Sequence, residues 1–448
     1  MTTIESTQEL LRTLPELNWL TSPIHIKRLS KDFYWFSPLL KAQLADKKAD
    51  LVVRPRSEEE LTQLICETVR LNIPVTIRGG GTGNYGQSVP LNGGVIIDMT
   101  DFNQLNWIKG GVASVRPGMK LGGLEESARE YGLELRCMPS TYKMATIGGL
   151  FSGGFGGIGS INYGPISASG NVLAARVMTL ENPPRIIELR GHETLNFHHT
   201  YGTNGILVEL EVALAPARQW DEYMLAFADL SYAVHFAKSI TNSVGIDKRN
   251  IAVFDAQSAA HFFEASENLK AGEHLVIAIV SSNSKEPMLE LLEEKLGHIA
   301  WSQTAADMQQ NQHTLMEYCW NHSTLHALKK DDSLTYLQAN YQVDKLLEQL
   351  AGIREQVGDE VGVHLEFIRS TDSSLFVTGL PLIHYSTPER LMELISIHQS
   401  LGIKINNPHV YTLEDGKHGG RLSDEILTSK KQNDPHSLLN VGKVRSLC

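Results

Sequence analysis

The distribution of glycine constrains this chain more than any other feature. Ile77 to Gly86 reads "IRGGGTGNYG", with Gly79, Gly80, Gly81 and Gly83 in close succession. Ile147 to Gly170 holds glycines at 148, 149, 153, 154, 156, 157, 159, 164 and 170. A glycine inside a helix costs about 1 kcal/mol relative to alanine, so this second segment is expected to be non-helical and ordered by something it wraps.

Gly81-Thr82-Gly83-Asn84-Tyr85-Gly86 is a literal G-x-G-x-x-G. The nicotinamide-binding fingerprint of that form needs a strand before the glycines and a helix directly behind them, because the helix N-terminus holds the pyrophosphate. "PVTI" (Pro74 to Ile77) supplies the strand, but "QSVPLNGG" (Gln87 to Gly94) comes next, and Pro90, Gly93 and Gly94 leave no room for a helix. Asp98 is reached through that irregular loop and reads as a structural strand-end residue, not as a ribose ligand. The loop is left with a run of backbone N–H groups free of Cβ atoms, an anion-binding concavity suited to phosphate.

The 448 residues suffice for two or three domains. Residues 1–47 read as a leader that packs on the adjoining domain, with the aromatics of "DFYWFSP" (Asp32 to Pro38) as packing anchors. Residues 48–215 alternate short strands and helices. Ser57 and Glu60 form a capping box for a helix over about 58–71, and Leu121, Leu124, Ala128 and Tyr131 mark another that stops at Gly132. Strands are expected at Gly93–Met99, Val112–Gly118, Val172–Leu180 and Ile206–Leu214. From Pro216 to about 410 the glycine density falls and amphipathic helices alternate with strands such as "LVIAIV" (Leu275 to Val280) and "SLFVTGL" (Ser374 to Leu380), a second α+β domain. Residues 411–448 are a loop-rich tail containing "DPHSLLNVGK" (Asp434 to Lys443).

Forty basic against fifty-one acidic residues, a net charge of −11, make nucleic acid and anionic lipid poor partners. Cys66, Cys137, Cys319 and Cys448 show neither metal-site nor disulfide spacing. The N-terminus lacks the pattern of a secretory signal and no apolar run reaches membrane-span length, so a cytoplasmic protein is expected.

Four segments together resemble one family, the FAD-binding flavoproteins of the vanillyl-alcohol oxidase or PCMH type. "RPRSEEELTQLICETVRLNIPVTIRGGGTGNYGQSVPLNGGVIIDM" resembles the first FAD subdomain; "PSTYKMATIGGLFSGGFGGIGSINYG" (Pro139 to Gly164), the second cofactor stretch; "YGTNGILVELEVAL" (Tyr201 to Leu214), the adenine end; and "DPHSLLNVGK", the closing signature. The resemblance implies an α+β fold: a two-subdomain FAD domain over 48–215, a cap over 216–410 that covers the isoalloxazine, and a return to the FAD domain over 411–448. It implies FAD contacts at Arg78, Gly79, Gly80, Gly81, Thr82, Gly83, Asn84, Gly86, Gln87 and Ser88 in the first loop. Further contacts are implied at Pro139, Ser140, Thr141, Thr146, Ile147, Gly148, Gly149, Ser152, Gly153, Gly154, Gly156 and Gly157, then at Gly205 and Ile206, and at Asn440 and Lys443 in the tail. Members that link FAD covalently carry histidine where Thr82 stands and cysteine where Met144 stands, and Cys137 lies too far upstream, so noncovalent FAD is expected. The H-x-G-D-G-N metal element of the hydroxy-acid branch is absent from "VGVHLEFIRS" (residues 361–370), and no metal is expected.

The implied activity is transfer of hydride from a small hydroxylated or amino-bearing organic substrate to flavin N5, with oxygen, a quinone or a protein as eventual electron acceptor. His322, beside Trp320 and Asn321, is the first candidate for base or substrate orienter. His409 and Tyr411 are the second, as an imidazole and a phenol able to share a proton, and Lys443 is placed to favour anionic reduced flavin. Two alternatives share the same FAD domain: an NADPH-dependent reductase of the UDP-N-acetylenolpyruvylglucosamine reductase type, and a flavin-binding subunit without turnover.

Overall fold

The computed structural model describes residues 3–311, 313–416 and 419–447. Three large sheets build it, two from the first half of the chain and one from the second, with a small two-stranded sheet of Leu334–Tyr336 and Leu382–His384 beside them. The first has four strands in the order Asn18–Trp19, Leu51–Arg54, Val95–Asp98, Val75–Arg78, the last three parallel. Parallel neighbours need a crossover, and Glu58–Arg70 provides it: Ser57 Oγ accepts from Glu60 N at 3.2 Å, and Leu61, Leu64 and Ile65 are buried against the sheet. The expected capping box is half formed, because the Glu60 carboxylate accepts from Arg56 N and not from Ser57 N. The segment after Arg78 runs without a helix to Val95.

The edge strand Val75–Arg78 is extended by the tail. Val75 N donates to Leu438 O at 2.8 Å and Asn440 N donates to Val75 O at 2.6 Å, a parallel bridge across more than 360 residues. Asp434 holds this turn, accepting from Leu438 N at 3.0 Å and Leu439 N at 2.9 Å.

The second sheet is antiparallel, in the order Leu105–Lys109, Val112–Val115, Ile206–Pro216, Val172–Met178, Ile186–Arg190, with Leu133–Leu135 paired to the far end of Ile206–Pro216. Leu121–Arg129 packs on it through Leu121, Leu124 and Ala128. The glycine-rich segment departs from expectation here: Ile147–Gly153 is a helix, and Ser160–Tyr163 a further turn of one. Thr146 caps the former, its Oγ1 accepting from Gly149 N at 3.2 Å. The helix forms because Ile147, Leu150 and Phe151 are all buried; three such side chains contribute roughly 5 to 9 kcal/mol against about 3 kcal/mol for the glycines at 148, 149 and 153. Gly148 is required by packing as well, since a Cβ there would lie 2.6 Å from Pro117 Cβ.

The third sheet has eight strands, from His298–Gln303 at one edge to Lys404–Asn406 at the other. Its faces separate by the period of two. Leu365, Phe367, Val377, Ala339, Tyr341 and Ile405 join the core beneath the helices Leu230–Asn242, Lys285–Glu294, Leu346–Val357 and Pro388–Ser400. The alternate residues Gln338, Asn340, Phe376, Thr378 and Asn406 turn to the opposite face, where they line a cavity shared with the first two sheets. The α+β class read from the sequence is the class of the structure.

Candidate FAD site

A cavity of about 720 Å³ lies between the loop Gly79–Asn84, the capped helix Ile147–Gly153 and the polar face of the third sheet. That volume is in the range of cofactor pockets. The loop is built by its glycines. Gly81 sits at φ +64°, and a Cβ there would lie 1.9 Å from the Arg78 guanidinium tucked beneath it. A Cβ on Gly80 would lie 2.2 Å from Met144 O, and one on Gly79 2.2 Å from Thr146 Oγ1, so the backbone of this loop packs directly on the segment Met144–Thr146. Close packing of protein on protein therefore accounts for these glycines together with access to a ligand.

The decisive feature is what this loop leaves free. Among the described residues, the N–H groups of Gly80, Gly81, Thr82, Gly83 and Asn84 have no protein acceptor, although all five residues line the cavity. Buried or half-buried donors are nearly always paired, and a consecutive unpaired run is suited to a diphosphate. Beneath the loop lie the cations. Arg78 donates to Lys31 O at 2.7 Å and Ser88 Oγ at 3.2 Å, and Lys443 Nζ donates to Gly86 O at 2.5 Å. Asp32, which accepts from Tyr34 N at 3.0 Å, is their counterion. Burial pushes Asp32 up to about 6 and Lys443 down to about 7, each opposed by the attraction of the other. The residues present thus fit a dinucleotide whose phosphates rest on main-chain amides backed by buried positive charge.

The amino-acid sequence of residues 49–182 matches a family described as "FAD binding domain". This stretch of the chain is an FAD-binding domain. It is 29% identical over 187 residues to the glycolate oxidase subunit GlcD of Escherichia coli K12, covering 40% of this chain and 37% of that one. It is 30% identical over 166 residues to the D-lactate dehydrogenase of Archaeoglobus fulgidus, covering 37% of this chain and 36% of that one. The matched region therefore spans little more than a third of these curated relatives. A solved structure of alkyldihydroxyacetonephosphate synthase superimposes with a TM-score of 0.73 over 97% of this chain and 84% of that one, at 16% identity, a likeness of fold. FAD is the cofactor of this family's domain.

The structure brings most of the expected contacts to one cavity. Gly79 to Asn84, Gln87 and Ser88 line it, as do Pro139, Ser140, Thr141, Thr146, Gly148 and Gly149. Ser152, Gly153, Gly154, Gly156, Gly205 and His322 complete the expected residues on its wall. Others lie behind that wall. Ile147 and Ile206 are core residues. Gly157 packs on Met138 O, and Gly86 on Leu44 and Lys443. Arg78 and Lys443 are beneath the loop as described, and Asn440 Nδ2 donates to Gln87 O at 2.9 Å and Tyr201 O at 2.6 Å. Asn440 and Lys443 thus brace the loop and are not on the cavity wall; the charge of Lys443, expected beside the flavin, lies beneath the loop Gly79–Asn84.

His409 and Tyr411 do not form the expected proton-sharing pair. His409 is buried; Nε2 donates to Tyr336 O at 2.9 Å and Nδ1 accepts from Ser37 Oγ at 2.8 Å, which uses both nitrogens. Burial lowers its pKa to about 4, so the ring is neutral. Tyr411 packs against Leu40 and Leu44, with Lys443 Nζ 5.2 Å above its ring.

His322, the first residue of the helix His322–Lys330, does line the cavity. Its Nδ1 is buried without a hydrogen-bond partner. Burial lowers the pKa of the ring, partly offset by Glu317 and the Ser140 backbone. Trp320 reaches the same wall because Gly156 admits it: a Cβ there would lie 3.0 Å from Trp320 Cη2. A buried network positions this turn. Glu366 accepts from Trp320 N at 2.6 Å and from His364 Nε2 at 3.0 Å, and Ser323 Oγ lies 3.0 Å from His364 Nδ1.

Sequence reading missed several lining residues: Phe33 and Phe36 from the leader, Tyr85, and the third sheet's Gln338, Asn340, Phe376, Thr378 and Asn406. The leader aromatics pack as expected and also meet the cavity. For two of the sheet residues a signal was present, polar side chains at every second position of "QANY"; in "FVTG" only Thr378 is polar. Among the described residues, no group of three or more His, Cys, Asp or Glu is placed to hold a metal, and no helix is long and apolar enough to cross a membrane.

Proposed function

We propose that the protein is an FAD-dependent oxidoreductase acting on a small organic substrate that carries a hydroxyl or amino group, with FAD held noncovalently. The observation that carries this reading is one cavity lined both by the residues with free amides, Gly80 to Asn84, and by His322, whose buried Nδ1 has no hydrogen-bond partner. When bound, the flavin supplies a two-electron acceptor for the hydride leaving substrate carbon.

The protein's own residues supply the rest. His322 is neutral near pH 7 because burial lowers its pKa, and it takes the hydroxyl or amine proton. Trp320 and Phe155 line the same cavity and give it apolar surface. Thr82 and Met144 line the cavity where covalent attachment would need histidine or cysteine, which supports a noncovalent cofactor.

Purified protein is expected to be yellow and to release all its flavin on acid precipitation. His322→Gln is expected to keep its FAD and lose about 100-fold or more in kcat. It is also expected to lose the acid limb of the rate profile, because activity of the parent falls as pH drops through the depressed pKa of His322. Colourless protein, or unchanged kcat in the variant, refutes the reading or moves the base elsewhere.

A further inference from the structure

We infer that the substrate is an uncharged, polyhydroxylated compound of the polyol or sugar class, not a 2-hydroxycarboxylate and not a charged amine. This deepens the oxidoreductase reading above and rests on it.

A site for a carboxylate normally offers arginine or lysine, because an unpaired carboxylate removed from water is costly. Among the described residues no arginine lines the cavity. Lys143 does, but it is exposed and stands 2.7 Å from Glu317, so the pair is already neutral. Arg78 and Lys443 are separated from the cavity by the phosphate loop. A charged amine fares no better. Glu317 is taken by Lys143, and Glu366, fully buried, is taken by Trp320 N, His364 and Asn250.

The third sheet offers neutral amides and a hydroxyl in paired register. Gln338 lies directly across from Asn406, and Asn340 directly across from Thr378. Gln338 donates to the Tyr85 hydroxyl and Thr378 to Ala339 O. The carboxamides of Asn340 and Asn406 have no protein partner among the described residues. A carboxamide presents donors and an acceptor side by side, the complement of a hydroxyl, which is both. Phe376 and Leu380 on the same face give an apolar wall for the carbon skeleton.

The test mixes FAD-loaded protein anaerobically with matched pairs: glycerol against D-glycerate, D-glucose against D-glucuronate, and xylitol against glycolate and D-lactate. Loss of the oxidised-flavin absorbance is read beside calorimetric binding. A neutral member is expected to bind and bleach at least about tenfold better than its acid. Asn340→Leu and Asn406→Leu are expected to raise its Kd and KM about tenfold with FAD content unchanged, and Asn406→Arg to gain binding of the acid.

Faster bleaching by any of the acids overturns the substrate class while leaving the oxidoreductase reading intact. Binding of neutral members with no bleaching by any compound removes the oxidoreductase reading, and with it the inference that rests on that reading. Absence of binding by all neutral members, or unaltered Kd in both leucine variants, overturns the inference.

Discussion

Gly81 shows how one residue can set the affinity of the whole site. At φ +64° any side chain costs about 1–2 kcal/mol, and the Cβ of Gly81→Ala would also displace the Arg78 guanidinium. The expected result is FAD binding weakened about tenfold or more, measured by flavin fluorescence titration. His409 makes a different prediction. Its folded pKa, about 4, is below the ordinary 6.5, so the unfolded chain binds more protons between those values. Stability therefore rises with pH through that window and is lost as pH falls below 6.5, by up to about 3 kcal/mol. His409→Gln is expected to flatten this dependence in urea titrations between pH 4 and 6.5. At this scale glycine composition shows directly where side chains are excluded, and the loop Gly79–Asn84 does line the cavity. Sequence reading did not separate lining residues from bracing ones: His409, Asn440 and Lys443 owe their burial to strands and loops that are distant in the chain.

Among the elements, the helix Ile147–Gly153 is the one that sequence propensity argued against. Its glycines weaken it locally, and burial of Ile147, Leu150 and Phe151 outweighs them. Such a helix depends on its cap. Thr146→Ala is expected to cost about 1 kcal/mol of unfolding free energy, with Thr146→Ser restoring most of it, and to lower FAD affinity because the element lines the cavity. The strands and the amphipathic helix Glu58–Arg70 were legible from periodicity and caps. What periodicity alone did not deliver was the destination of the polar face of the third sheet, which depends on how the sheets are arranged around the cavity.

The whole molecule is tied together under the loop Gly79–Asn84. Asp32 from the leader, Arg78 and Gly86 from the first sheet's loop, and Lys443 from the tail meet in a buried cluster. Lys443→Met strands the Asp32 carboxyl and the Gly86 carbonyl, and is expected to cost about 3 kcal/mol in urea unfolding. The double variant Asp32→Asn with Lys443→Met is expected to recover much of that loss. The order of synthesis gives the tail a further consequence. Leu438 to Asn440 border the strand that leads into the phosphate loop, so that border is absent while the ribosome is still making the preceding four hundred residues. Flavin capture is then a late event in the life of each polypeptide, and nascent chains stalled before Asp434 are expected to emerge without quenching FAD fluorescence.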